Sequence, residues 1–272
     1  MVKSYLASSL EEALELRGKF DLIPYCGGTD LMIDDDEERA YLFLHQVPEL
    51  KGLNEDDEYI RIGAACTFTE LLESRLTPAI LKDAVSQIAA PAIRNLGTVG
   101  GNIGNGSPKA DTALIFFVTD SKVRLMSSKG QRTVPIGRLY LGRNKLDLKP
   151  DELITEVLMP KHGLDNYYYK KIGARRALAI SRLSFAGLMK AENGRITSFA
   201  TAFGAITDVI LRRDDLDNLF IGKTLDEAKA VKDEYIKAYD KAIVPIQGRI
   251  SAEYRKDVCM NLLKDFLDSM GI

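Results

Sequence analysis

The segment that most constrains this chain is NLGTVGGNIGNGSPKAD (95–111), which holds five glycines between apolar residues on either side. Ile93 and Leu96 lead into it, and Leu114 to Val118 follow it as an uninterrupted apolar run. Glycine adds nothing to a core and loses more entropy on folding than any other residue, so an ordinary loop rarely concentrates it. The pattern indicates that the backbone must come very close to another group there.

A second glycine-rich turn, CGGTD (26–30), lies earlier in the same half of the chain. Without a Cβ, consecutive backbone N–H groups can point at one anion, and a pyrophosphate is the usual anion that requires such close approach. Two such loops could hold a pyrophosphate from both sides without any lysine. An ordinary turn is the alternative for CGGTD alone. Neither loop matches GxGxxG or GxxxxGK[ST], which argues against a Rossmann site and a P-loop.

Composition sets the broad class of the protein. The 272 residues are 46% apolar and 28% charged with a net charge of −2, which is typical of a globular protein of two domains or one large one. This charge gives no general attraction to nucleic acid or anionic membranes. No run approaches eighteen apolar residues, so no membrane span is predicted. The start carries carboxylates where a signal peptide needs an apolar core, which predicts a cytoplasmic protein.

The cysteines and histidines do not form a reactive or metal-binding pattern. Cys26, Cys66 and Cys259 lie far apart, so no zinc or iron–sulfur site is predicted. His45 and His162 are the two histidines, and surface or hydrogen-bonded roles are expected for both. No Ser-His-acid spacing supports a hydrolase. We therefore predict no catalytic side chain and no metal ligand.

The first half of the chain alternates helical and strand patterns. SSLEEALELRG (8–18) has a serine cap and a glycine after its last turn, which predicts a helix that ends before Gly18. Further helices are predicted at FTELLES (68–74) and PAILKDAVSQIA (78–89), and strands at AYLFLHQ (40–46), YIRIGAACT (59–67) and the end of ALIFFVTDSKVRLMSS (113–128). DELITEVLMP (151–160) closes this half at Pro160.

A second unit begins near Asp165. NYYYKKIG (166–173), ALAISRLSFAGLMKA (177–191) and RITSFATAFGAI (195–206) indicate strands, with a hairpin turn at Asn193 and Gly194. Two amphipathic helices follow, at 224–243 and 251–270. Strands followed by two helices predict a small α+β domain.

Taken together, these motifs closely resemble the FAD-binding (medium) subunit of the molybdenum hydroxylase, or xanthine dehydrogenase, family. The matching pieces are GGTDL (27–31), PELKGL (48–53), IRIGAACTFTEL (60–71), IRNLGTVGGNIGNGSPKAD (93–111), DELIT (151–155) with the following MP, and SAEYRKDV (251–258). The resemblance covers nearly the whole chain. It implies an α+β fold in which a two-part FAD-binding domain of the vanillyl-alcohol-oxidase (PCMH) type is followed by a small α+β domain.

The resemblance also implies domain boundaries. The FAD-binding domain is expected at residues 1–161, with subdomains of about 1–54 and 55–161. A C-terminal domain of the CO dehydrogenase flavoprotein type is expected at 162–272.

Residue by residue, the resemblance places the FAD pyrophosphate against the backbone of the two glycine loops. The implied FAD-binding residues are Tyr25, Cys26, Gly27, Gly28, Thr29, Asp30, Leu31, Thr98, Val99, Gly100, Gly101, Asn102, Ser107, Asp111, Ile154 and Lys171. Asp111 is expected to accept from a ribityl or ribose hydroxyl, the alternative being a helix N-cap. Lys171 is expected near the isoalloxazine, the alternative being a solvated basic face with Lys170, Arg175 and Arg176.

The implied function is electron transfer. FAD, bound noncovalently, would receive electrons from [2Fe–2S] clusters in a small subunit, and the organic substrate would be oxidised in a molybdopterin-binding large subunit. The acceptor would be NAD+ or another oxidant. One alternative is a stand-alone flavin reductase of the same fold, which would need a proton donor for its substrate. The other is a flavin-free scaffold in which the glycine loops are ordinary turns.

Overall fold

A computed structural model describes residues 3–33, 38–175, 177–246 and 250–272. The strands are β1 (Tyr5–Leu6), β2 (Ile23–Tyr25), β3 (Tyr41–Phe43), β4 (Leu53–Glu55), β5 (Tyr59–Gly63), β6 (Lys122–Ser127), β7 (Gly130–Pro135), β8 (Tyr140–Gly142), β9 (Lys145–Leu146), β10 (Leu153–Pro160), β11 (Tyr167–Ile172), β12 (Leu183–Glu192), β13 (Arg195–Gly204) and β14 (Leu211–Arg212). The helices are α1 (Leu10–Lys19), α2 (Phe68–Glu73), α3 (Ala79–Ser86), α4 (Pro91–Arg94), α5 (Val99–Gly104), α6 (Asp111–Val118), α7 (Ile136–Leu139), α8 (Asp214–Asp217), α9 (Leu225–Ala242) and α10 (Ala252–Ser269).

The chain divides into two compact units that do not follow chain order. Unit 1 contains residues 1–77, 88–106 and 120–161, and unit 2 contains residues 78–87, 107–119 and 162–272. Two segments of the first half, which carry α3 and α6, therefore belong to the second unit.

Unit 1 contains two principal sheets. A parallel sheet of order β1-β3-β2 packs with α1 around a core that includes Leu14, Leu22 and Leu42. An antiparallel sheet of order β4-β5-β10-β6-β7 forms the rest, and inward residues such as Ile62 and Val157 are completely buried. CGGTD (26–30) directly follows β2, whereas TVGGN (98–102) lies after α4 and forms the start of α5.

Unit 2 is built on an antiparallel sheet of order β11-β12-β13-β14. A Cβ at Gly187 would lie 2.7 Å from the Phe266 ring of α10, and a Cβ at Gly204 would lie 3.8 Å from Leu114 of α6. Gly204 pairs with Ser184, which points to the opposite face of β12 from Gly187. Helices α6 and α10 therefore cover opposite faces of this sheet, and this explains why β12 is buried almost throughout.

Most of the predicted elements are confirmed, but α1 ends later than predicted, and the strand predicted from Ala177 begins only at Leu183. Asn193 and Gly194 both have positive φ, 51° and 75°, as a tight hairpin turn requires. Ser9 caps α1 as predicted, but the helix continues through Gly18 to Lys19. A Cβ at Gly18 would lie 3.3 Å from Ser128 Oγ, so this glycine serves close packing against the β6–β7 turn instead of ending the helix.

Within the described ranges, no helix combines the length and the apolar character needed to cross a membrane.

Candidate functional site

The two glycine loops meet backbone to backbone. A Cβ on Gly27 would lie 1.8 Å from the carbonyl oxygen of Leu96, a distance that no side chain can occupy. Gly28 has a φ of 67°, and the ring of Tyr25 packs over the space where its Cβ would stand. The first loop therefore needs glycine for two reasons, a left-handed backbone and direct contact with the second loop.

The first loop presents free backbone donors. Among the described residues, the N–H groups of Gly27, Gly28, Thr29 and Asp30 have no hydrogen-bond acceptor. The turn is closed by Met32 N–H, which donates to Gly28 O at 2.9 Å. Consecutive unsatisfied N–H groups are costly unless water or a ligand accepts from them, and such a set forms a concave anion site.

The backbone N–H groups of the second loop donate to acceptors within the protein. Thr98 is the N-cap of α5, and its Oγ1 accepts from Gly101 N–H at 3.2 Å. Val99 N–H donates to Cys66 O at 3.0 Å, and Gly100 N–H donates to Ala64 O at 2.7 Å. The N–H groups of Val99, Gly100 and Gly101 are therefore not available to an anion. The expectation that the second loop points free N–H groups at a pyrophosphate is wrong for these three residues.

Glycine in the second loop serves close packing. A Cβ on Gly100 would lie 2.7 Å from Ala64 Cβ, so α5 can rest against the end of β5 only without a side chain there. Gly101 and Gly104 have helical backbone and leave the surface of α5 bare. The loop therefore contributes a flat wall rather than a set of donors.

Both loops line one cavity of about 260 Å³ in unit 1. Eleven of the residues that the resemblance assigns to FAD line it: Cys26, Gly27, Gly28, Thr29, Asp30, Leu31, Thr98, Gly100, Gly101, Asn102 and Ile154. Tyr25 packs against the rings of Tyr41 and Phe43, and Val99 is completely buried. The remaining wall is largely apolar and includes Leu44, Leu50 and Leu153.

The thiols beside the cavity are neutral. Burial raises the pKa of Cys26, with a hydrogen bond from Thr98 and the charge of Lys51 opposing. Burial likewise raises the pKa of Cys66 to about 11, and its Sγ lies 3.1 Å from Gly52 O. Neither thiol is a thiolate at neutral pH, so neither is a strong nucleophile.

One carboxylate at the cavity is fully paired. Glu152 is buried and receives Arg132 Nε at 2.7 Å and Arg132 Nη2 at 2.8 Å. These bonds lower the pKa of Glu152, with burial opposing, so the group stays ionised.

Sequence reasoning missed Glu152 and also Arg17, which lines the same cavity. Arg17 could have been found, since it follows buried Ala13 and Leu14 at helical spacing.

Three further predicted residues, Ser107, Asp111 and Lys171, belong to unit 2. Lys171 Nζ lies 2.7 Å from Asp111 Oδ2, and both side chains are less than a tenth exposed. Lys171 Nζ also donates to Gln87 O at 2.9 Å, and Ser181 Oγ donates to Asp111 Oδ1 at 2.6 Å. Burial raises the pKa of Asp111, while Lys171 and Ser181 oppose that shift.

The two alternatives for this pair do not hold. Asp111 is the first residue of α6 and Ala110 is the N-cap, so the Asp111 carboxylate does not cap the helix. Lys171 is buried rather than solvated. Arg176, part of the same alternative, lies outside the described residues. Ser107 Oγ accepts from Lys109 N–H at 3.2 Å.

Among the described residues, no group of three or more His, Cys, Asp or Glu side chains is placed to hold a metal ion.

Two family profiles match nearly all of the chain. Residues 1–162 match the FAD binding domain in molybdopterin dehydrogenase, and residues 167–270 match the CO dehydrogenase flavoprotein C-terminal domain. The xanthine dehydrogenase FAD-binding subunit of Escherichia coli O157:H7 is 35% identical over 198 residues, 68% of this chain and 67% of that protein. The nicotinate dehydrogenase FAD-subunit of Eubacterium barkeri is 26% identical over 292 residues, 98% of this chain and 96% of that protein.

Solved structures share the fold. A chain of the Cu,Mo-CO dehydrogenase in its cyanide-inactivated form superposes with a TM-score of 0.89 at 23% identity, covering 99% of this chain and 97% of that one. A chain of quinoline 2-oxidoreductase from Pseudomonas putida 86 gives a TM-score of 0.88 at 18% identity, covering 100% of this chain and 97% of that one. The predicted α+β fold, an FAD-binding domain followed by a C-terminal domain, is confirmed.

Proposed function

The chain belongs to the FAD-binding subunits of the molybdopterin dehydrogenases, and we propose that it passes electrons from [2Fe–2S] clusters of one partner to NAD+. A third chain, which carries molybdopterin, oxidises the organic substrate. FAD is the cofactor of this family, and when bound it supplies the chemistry by accepting electrons singly and releasing a pair as hydride.

The observation that carries this proposal is the row of free N–H groups from Gly27 to Asp30 inside the cavity. A pyrophosphate satisfies these donors, and the absence of a Cβ at Gly27 and Gly28 lets it come close. The apolar wall formed by residues such as Leu50 and Ile154 excludes water from the rest of the ligand. The assignment of Ser107, Asp111 and Lys171 to FAD stays a prediction.

Binding is noncovalent in this proposal. Cys26 is the thiol that lines the cavity, and burial keeps it protonated. His45 and His162 are both exposed on the surface. The protein therefore holds FAD by hydrogen bonds and packing.

The test is to purify the chain, record its visible spectrum, precipitate it with acid and identify the flavin in the supernatant. We expect a flavin spectrum and free FAD. Flavin that stays with the precipitate contradicts noncovalent binding, and FMN in place of FAD contradicts the cofactor assignment. A colourless protein that takes up no added FAD contradicts the function itself.

The acceptor has its own test. Anaerobic addition of NADH should bleach the flavin of the isolated chain, because hydride exchange with a nicotinamide is reversible and needs only access to the flavin edge. NADPH serves as the comparison. Failure of both nucleotides to bleach a flavin that dithionite reduces would exclude NAD+ as acceptor and favour another oxidant.

A further inference from the structure

Arg17 is a cation on the apolar face of a helix. Ala13 and Leu14 of α1 are buried, and Arg17 follows them by four and three residues, which places it on the same side of the helix. There it lines the cavity that the glycine loops also line. A charged side chain at such a position needs a partner.

The partners of Arg17 within the protein are too few. Nη1 donates to Leu22 O, Nε is buried without an acceptor, and no carboxylate within the described residues forms an ion pair with the guanidinium. Burial lowers the pKa of Arg17, with the charges of Asp21 and Asp151 opposing. Arginine nonetheless stays protonated in proteins, so a cation short of acceptors faces the cavity.

Arg17 and the free N–H groups lie at different places along the cavity. The guanidinium is anchored at Leu22, before β2, and the free donors begin at Gly27, after it. The three residues of β2 alone span roughly 10 Å at the usual rise of a strand. Ile23, which directly follows Leu22, lines the cavity together with other apolar residues such as Leu148 and Leu153.

These features indicate which kind of ligand group can bind beside Arg17. A cavity with largely apolar walls and one guanidinium short of acceptors suits a flat aromatic ring that carries acceptor atoms at its edge, because arginine both stacks on such rings and donates to ring nitrogens. A purine fits this description, and a purine joined through ribose to a pyrophosphate can reach from one place to the other. We infer that Arg17 binds the adenosine end of FAD and makes the site select FAD over FMN.

This inference rests on the proposed function and goes beyond it. The experiment titrates apo-protein with FAD and with FMN and follows flavin fluorescence. Arg17→Met removes the donors and keeps an apolar stem. We expect it to weaken FAD binding about tenfold to a hundredfold, as loss of a charge-assisted hydrogen bond does, and to leave FMN binding unchanged. Lys19→Met is the matched control, since Lys19 of the same helix is 63% exposed and pairs only with Glu15 among the described residues.

A structural role for Arg17 gives a different result. If Arg17 only anchors Leu22, Arg17→Met lowers the thermal midpoint of the apo-protein and weakens FAD and FMN equally, which would overturn the inference. Unchanged affinity for both flavins would overturn it too. A wild-type chain that binds neither flavin contradicts the proposed function instead.

A competition experiment on the wild-type chain needs no variant. ADP carries both adenosine and pyrophosphate, whereas inorganic pyrophosphate carries no ring. We expect ADP to displace FAD at least tenfold more effectively than pyrophosphate does. Equal competition by the two would show that adenosine has no site of its own and would overturn the role of Arg17.

Discussion

The glycines of the two loops differ in what their missing side chains make room for. At Gly27 the neighbour is protein backbone, 1.8 Å from an ideal Cβ, whereas at Gly101 the nearest neighbour is the Thr98 hydroxyl, 3.0 Å away. Backbone cannot yield as the end of a flexible side chain can. Gly27 is therefore required for the two loops to touch, independently of any ligand.

We expect Gly27→Ala to destabilise the chain by about 1–3 kcal/mol, because overpacking forces the loops apart. The same displacement should abolish FAD retention, since the free donors follow directly on this residue. Urea unfolding and bound-flavin content measure the two effects. Gly142→Ala is the control, because no atom lies within 4 Å of its Cβ position and its φ is not in the left-handed range. Full stability and full flavin in Gly27→Ala would contradict the contact.

The buried pair Asp111–Lys171 allows a sharper test at the residue scale. Lys171→Met leaves the Asp111 carboxylate without its cation, and breaking a buried pair costs about 3–5 kcal/mol. Lys170→Met, next in sequence but exposed, should change stability by no more than about 0.5 kcal/mol. The readout is the unfolding free energy of the apo-protein, which does not depend on the role of either residue toward FAD.

The pH dependence of the Lys171→Met variant has a definite sign. Loss of Lys171 raises the pKa of Asp111 further, because burial is then less opposed. A folded-state pKa above the unfolded value means that stability falls as pH rises through the interval between them. The deficit of the variant relative to wild type should therefore be larger at pH 8 than at pH 5. An equal deficit at both pH values would show that Asp111 is not the group left unpaired.

At the scale of residues, the sequence predicted which loops line the cavity but not how they do so. Eleven assigned residues meet there, because the glycine motif is local and specific. The internal use of the Val99 and Gly100 donors could not be foreseen, since their acceptors, Cys66 and Ala64, lie in a distant segment. Arg17 was missed because arginine on a helix is usually taken as solvated.

At the scale of elements, a buried polar cluster ties α8 and α9 to β13. Asp217 of α8 receives Thr201 Oγ1 at 3.0 Å and Tyr235 Oη at 2.9 Å, and Tyr239 Oη donates to Thr201 Oγ1 at 2.9 Å. Arg212 lies 3.7 Å from the second carboxylate oxygen. Burial raises the pKa of Asp217 from 3.8 to about 7, and these hydrogen bonds and the Arg212 charge oppose it.

The cluster predicts how the stability of unit 2 varies with pH. Because the folded pKa of Asp217 is raised, its contribution is fully present below about pH 4 and is lost as pH rises through 7, by about 4 kcal/mol at most. Asp217→Asn should flatten the unfolding free energy between these pH values. Asp226→Asn, whose side chain is 95% exposed, is the control. Parallel pH profiles for wild type and Asp217→Asn would contradict the raised pKa.

The predicted element boundaries were correct where neighbouring residues determine them and wrong where packing against a distant segment determines them. The capping serine of α1 and the Asn193–Gly194 turn act through neighbouring residues, and the structure agrees with both. The predicted end of α1 was wrong because Gly18 packs closely against Ser128, which lies far along the chain. A glycine indicates a helix end only when no distant group packs where its Cβ would be.

At the scale of the whole molecule, the assignment of segments to units could not be predicted from the sequence. Helices α3 and α6 precede most of unit 2 by many residues, yet they belong to it. The sequence of α6, DTALIFFV, is buried at every position, which indicates a central helix but not which sheet it serves. Only the pairing of distant elements settles that choice.

Unit 1 also carries exposed apolar residues close to the first glycine loop. Met32 and Ile33 follow that loop and are 73% and 75% exposed, and Leu96, whose carbonyl meets Gly27, is 56% exposed. Exposed large apolar side chains grouped near a ligand site are typical of surfaces that another chain covers. We therefore expect a partner chain to cover this face.

The last prediction is that the chain oxidises an organic substrate only within a complex. An iron–sulfur cluster is usually held by four cysteine thiolates and this sequence has three cysteines, so we expect the relay to a second redox centre to come from a partner. We therefore expect the pure, FAD-loaded chain to be reduced by NADH but to oxidise no purine, aldehyde or N-heterocycle. Co-expression with the products of neighbouring genes should restore substrate oxidation. Reduction by NADH serves as the control that the flavin of the isolated chain is active. Substrate turnover by the isolated chain would contradict the subunit assignment and support a stand-alone enzyme.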